Sequence, residues 1–96
     1  MLLLLARRTA ESRLASFLVS LSRRLGSRGF SETEFNLVMS RHDIANYLGL
    51  AAETVSRLIS KFQENGILTV DRRRVVIQNM DSLMERVGNS AGAKSA

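Results

Sequence analysis

Cysteine is absent from the 96 residues. This removes disulfides, thiolate zinc sites, cysteine-held iron–sulfur clusters and thiol catalysis from the chain. A chain without cysteine fits a reducing, cytoplasmic setting. The single histidine is His42, too few for a histidine metal centre, and no metal site is expected. Long apolar runs are also lacking. Met1–Leu5 is far too short to span a bilayer. Arg7 and Arg8 follow that run, whereas a signal peptide carries its positive charge ahead of it. No catalytic carboxylate pair, Ser/His/Asp set, phosphate-cradling glycine loop or metal-ligand cluster can be traced, so enzymatic activity is not expected.

Negative charge is scarce as well. Nine Asp+Glu stand against 14 Lys+Arg, giving a net charge of +5 and a pI near 11.1. All but two of the basic residues are arginine, whose planar fork suits phosphate and guanine edges. So basic a small chain favours a polyanionic partner, nucleic acid before an anionic membrane; with the helix-turn-helix read below, the partner expected is double-stranded DNA. Hydrophobic content of 45% and charged content of 24% are those of an ordinary globular protein, and the length allows one core.

Along the chain, Met1–Arg8 reads as the last turns of a longer helix whose exposed leucines need a partner chain. Thr9 is placed to cap the next helix. Its apolar stripe is Leu14, Phe17, Leu18, Leu21 and Leu25, and Gly26 and Gly29 are expected to end it near Leu25. Phe30–Glu34 is polar connection. "EFNLVM" alternates, with Phe35, Leu37 and Met39 on one side, as a short strand does. Ser40 to Asp43 resembles a capping box opening a helix with Ile44, Ala45, Tyr47 and Leu48 that stops at Gly49. A second helix spans Ala52 to Glu64 and ends at Asn65-Gly66. "ILTV" and "VVIQ" form a β-hairpin with Arg72, Arg73 and Arg74 at its tip. Asn79 or Asp81 caps a last helix through about Val87, and "GNSAGAKSA" has the composition of a disordered tail. The expected organisation is 1–8 as the end of a truncated dimerisation helix, 9–88 as one domain and 89–96 as tail.

A short helix, a glycine turn and a second helix make a helix-turn-helix plan. Apolar or small residues fall at Ile44, Ala45, Leu48, Leu50, Val55 and Leu58. Ala45 is small where the second helix crosses, and Gly49 permits the positive φ of the turn. With a basic β-hairpin added, the fold class is mainly α with a small β-hairpin wing, a winged helix-turn-helix. If Val55, Leu58 and Ile59 face inward, Ala52, Glu53, Ser56 and Arg57 face outward from the end that enters the major groove in this motif. Arg57 can give two hydrogen bonds to guanine O6 and N7, and Glu53 can accept from cytosine N4. Ser56 is small enough to admit either base edge. Phosphate contacts are expected from Arg72, Arg73 and Arg74 on the wing, and from Arg41, His42, Thr54 and Lys61.

The stretch "SRHDIANYLGLAAETVSRLISKFQENGIL" resembles the Crp/Fnr transcription regulators, whose recognition helix carries E-T-(V/I)-x-R. The match is closest to their oxygen-responsive Fnr branch. It extends back through "LLLARRTAESRLASFLVSLSRRLGSRGFS" and covers the chain to about Gly88. The resemblance implies that Glu53, Ser56 and Arg57 read a TTGAT-type half-site, two of which are bound by a homodimer. The catabolite-activator branch has glycine where Ser56 stands and arginine where Ala52 stands; the Ala52 methyl suits a thymine methyl. Ser31, in the Gly26–Glu34 loop, occupies the place that meets RNA polymerase in the family. Any iron–sulfur cluster of an Fnr-like parent would belong to an N-terminal domain, so no cofactor is expected in this chain. Ala51 departs from the family by replacing a Ser or Thr helix cap, a loss of about 1 kcal/mol. From another class, the rival is a winged helix that binds a regulator protein through its leucine-rich start instead of DNA.

Overall fold

A computed structural model describes residues 9–88. The expectations for residues 1–8 and 89–96 lie outside the described residues. Helix α1 runs over Ala10–Ser27, with the Thr9 hydroxyl accepting from the Ser12 amide at 2.9 Å. Its apolar stripe behaves as the spacing requires: Leu14 and Leu18 are buried, and Phe17, Leu21 and Leu25 pack at the core's margin. The helix outlasts the expected end near Leu25. Gly26 lies within the helix, and the exposed Glu32 side chain folds over it into space that a Cβ would take. Ser22 Oγ reinforces that approach by donating to the Glu32 carbonyl at 2.5 Å. The break comes at Gly29, where φ is +89°.

Helix α2 covers Arg41–Leu48, helix α3 covers Ala52–Glu64 and helix α4 covers Met80–Gly88. Asn79, not Asp81, caps α4: its Oδ1 accepts from the Ser82 amide at 3.0 Å. Strands β1 (Glu34–Asn36), β2 (Leu68–Asp71) and β3 (Arg74–Ile77) form one antiparallel sheet in the order β1-β3-β2. The expected two-stranded wing therefore has a third member. Phe35 pairs with Val75 on one side of β3 and Val70 pairs with Val75 on the other. This anchors the hairpin to the body of the domain, since a free two-stranded hairpin is marginal in water. Strand β1 is shorter than "EFNLVM". Phe35 and Leu37 are buried, but Met39 is only half-buried and Val38 is 87% exposed.

One core joins these elements. Leu14, Ile44, Val55, Phe62, Leu68, Val75 and Leu83 are each fully enclosed. They come from all four helices and both wing strands, so α3 cannot shift without disturbing the whole interior. Among the described residues, no helix is long and apolar enough to cross a membrane.

Candidate nucleic-acid interface

The helix-turn-helix is built from local signals that agree with one another. Ser40 Oγ accepts from the Asp43 amide at 3.1 Å, and Asp43 Oδ2 accepts from the Ser40 amide at 3.4 Å, completing the capping box. At the other end of α2, Gly49 takes φ +73°, a left-handed conformation costly for other residues. The Leu50 amide then donates to the Ala45 carbonyl at 2.8 Å, which turns the chain into α3. Arg13 of α1 adds a bond from Nη1 to the Leu48 carbonyl at 3.3 Å, satisfying an orphan carbonyl of α2. Ala51 stands at the N-cap of α3 with no side-chain cap bond, as its methyl requires.

Helix α3 buries Val55, Ile59 and Phe62 against this scaffold, with Leu58 half-buried. Glu53 and Arg57 project from the opposite face, their side chains 83% and 73% exposed. They meet through Arg57 Nη2 and Glu53 Oε2 at 3.3 Å, the i, i+4 contact that helical spacing allows. So exposed a pair adds only a few tenths of a kcal/mol to stability. Its effect is to hold the guanidinium beside the carboxylate on the outward face.

The other candidates divide. Ser56 and Thr54 are half-buried. Ala52, expected outward, packs partly against the core, because the first turn of α3 still lies close to the domain. Arg41 reaches across from α2 and donates from Nη1 to Ser56 Oγ at 3.3 Å. His42 is exposed on the first turn of α2. Lys61 is drawn backward instead: its Nζ lies 3.0 Å from Glu11 Oε1. Glu11 Oε2 also lies 2.9 Å from Arg86 Nε, so one carboxylate ties α1 to both α3 and α4.

The wing tip holds two arginines, not three. Arg72 and Arg73 form the turn between β2 and β3, whereas Arg74 is already the first residue of β3 and is ion-paired with Glu34 of β1. Arg72 is the one non-glycine with positive φ among the described residues, at +61°. A left-handed arginine costs about 1–2 kcal/mol relative to the ordinary region. Glycine or asparagine is the usual occupant of such a turn position.

Two positioning contacts lie beyond sequence inspection. Gln63 Oε1 accepts from the Val70 amide at 3.0 Å, linking the end of α3 to β2 and so setting the wing against the helix. The Arg41–Ser56 bond spans 15 residues. Neither pair has a local signature, because each depends on how two elements cross. Ser31 lies exposed in the loop after α1, its Oγ accepting from the Glu34 amide at 3.1 Å.

Residues 12–86 match the model of the Crp-like helix-turn-helix domain. The chain belongs to this family. Among curated relatives of this Crp-like domain, the fumarate and nitrate reduction regulatory protein of Escherichia coli is 50% identical over 90 residues, 94% of this chain and 36% of the relative. The chain thus spans about a third of the length of the curated relatives it matches. Their names agree with the Fnr branch indicated by the recognition-helix residues. Among solved structures, FixK2 from Bradyrhizobium japonicum superposes with a TM-score of 0.77 at 40% identity, covering 99% of this chain and 44% of that one. The Thermus thermophilus catabolite activator protein gives a TM-score of 0.66 at 26% identity, covering 93% of this chain and 38% of that one. The Crp-like domain offers nothing that fits an iron–sulfur cluster: it has no cysteine, and no group of metal-ligating side chains occurs among the described residues.

Proposed function

We propose that the chain is the DNA-reading domain of a cytoplasmic Crp/Fnr-type transcription regulator and that it acts by binding, not catalysis. Helix α3 enters the major groove of a TTGAT-like half-site. Arg57 donates to guanine O6 and N7, Glu53 accepts from cytosine N4 while steadying Arg57, and Ser56 contacts a neighbouring base edge. Ala52 offers its half-exposed methyl to a thymine methyl. Arg72 and Arg73 hold phosphates from the wing, and Arg41, His42 and Thr54 do so from the helix-turn-helix. Lys61 and Arg74 join them only by exchanging Glu11 and Glu34 for phosphate, so their contribution is the smaller.

The observation that carries this proposal is the pose of the Glu53–Arg57 pair. It is fully outward, yet fixed from behind by the buried Val55, Ile59 and Phe62. In the longer regulator, two such domains in a homodimer bind paired half-sites, and the loop bearing Ser31 faces RNA polymerase. The test is duplex binding by fluorescence anisotropy across a salt series, with a TTGAT duplex against a scrambled one. Salt-steep binding that prefers TTGAT supports the proposal. Indifference to both DNA and salt favours the rival protein-interaction module.

A further inference from the structure

Arg41 sits where a structural residue would not be chosen. It is the first residue of α2, a position at which positive charge opposes the helix dipole. It forms no ion pair among the described residues, unlike Arg57, Lys61, Arg74 and Arg86. Among the described residues its one side-chain bond runs from Nη1 to Ser56 Oγ on the recognition helix, at 3.3 Å.

That bond has a chemical consequence. A serine hydroxyl has one proton and two lone pairs, whereas a guanidinium can only donate. With Arg41 on one lone pair of Ser56 Oγ, the hydroxyl proton turns away from the guanidinium; a second lone pair remains, but the adjacent positive charge repels a base N–H there and favours a base acceptor for the proton. We infer that Arg41 is a specificity-positioning residue: it biases the Ser56 hydroxyl toward donation and so favours an acceptor edge at the base pair Ser56 meets. Such edges are guanine N7 or O6, adenine N7 and thymine O4; the amino groups of cytosine and adenine are disfavoured. The remaining N–H groups of the same fork can hold a phosphate, which ties backbone docking to base reading through one side chain. The inference rests on the proposed DNA-reading function and adds to it a division of labour: Arg57 reads its base itself, and Arg41 reads one through Ser56.

The experiment measures binding of the full chain and its variants to duplexes carrying each base pair in turn across a TTGAT half-site. Ser56→Ala is expected to lose preference at one pair. Arg41→Ala is expected to lose about tenfold of preference at that same pair, and the double variant no more than either single one. Preference at the guanine read by Arg57 stays at the parent value. Arg41→Lys keeps the charge and the stem, so it retains the parent salt dependence, but without the fork it does not restore the preference. Melting curves establish that each variant is folded. If Arg41→Ala weakens all duplexes equally and leaves every preference intact, Arg41 is a phosphate contact only and the inference fails while base reading stands. If the parent prefers no base pair at all, the DNA-reading function fails and this inference with it.

Discussion

Replacing Arg72 by glycine is expected to strengthen the fold while weakening DNA binding. Arg72 holds φ +61° at the wing tip. Relieving that conformation returns about 1–2 kcal/mol. Glycine gives back about 0.4–1 kcal/mol through the greater freedom of its unfolded chain. The net gain is on the order of 0.5–1 kcal/mol, or roughly 2–8 °C in Tm for a domain of this size. Arg72 is exposed and its side chain supports no core contact, so nothing offsets the gain. Binding moves the other way. Losing one phosphate contact lowers the slope of log K against log salt by about 0.9 and weakens every duplex alike. Calorimetry and a salt series of anisotropy titrations on the same two proteins provide both numbers. A lower Tm would mean that the arginine stabilises the turn, and an unchanged salt slope would remove Arg72 from the DNA backbone; either result refutes the trade.

Ala51→Ser supplies the missing cap of α3 and is expected to raise stability by about 1 kcal/mol, read by urea denaturation; an unchanged midpoint would show that the φ and ψ at this N-cap do not direct a hydroxyl to the free amides. Phe62→Ala empties a fully enclosed site and is expected to cost about 3–5 kcal/mol, enough to unfold much of so small a domain by circular dichroism. A well-folded variant would contradict the single-core account. Gly49→Ala meets open space except for Arg13 Nη1 at 3.9 Å. Its expected loss is therefore only the left-handed strain, about 1–2 kcal/mol; a much larger drop in thermal stability would point to a clash.

The helix-turn-helix was legible in the sequence because its signals are local and mutually consistent: the Ser40 capping box, the small Ala45, the positive-φ Gly49 and the spacing of Val55 and Ile59. The outward Glu53–Arg57 pair follows from helical periodicity alone. What was not legible depends on elements distant in sequence. Gly26 looks like a helix end until Glu32 folds back over it. "EFNLVM" reads as an isolated strand until Phe35 pairs with Val75. Lys61 and Arg74 look like free cations, but Glu11 and Glu34 come to them from other elements. Ala52 is half-buried for a related reason: periodicity assigns a face, whereas burial in the first turn depends on how closely α3 approaches its neighbours.

Base reading by Arg57 is the claim on which the functional account turns, and one set of titrations addresses it. The parent, Arg57→Ala and Arg57→Lys are each bound to half-site duplexes carrying all four base pairs at the guanine of TTGAT. The account predicts that the parent prefers guanine by about 1–3 kcal/mol. Both variants should lose that preference while keeping the parent melting temperature, because the side chain is 73% exposed. Lysine preserves the charge but not the two-pronged geometry, so it should resemble alanine in selectivity and the parent in salt dependence. If Arg57→Lys discriminates among the four base pairs as well as the parent does, Arg57 does not read that base and the assignment of the recognition face is wrong.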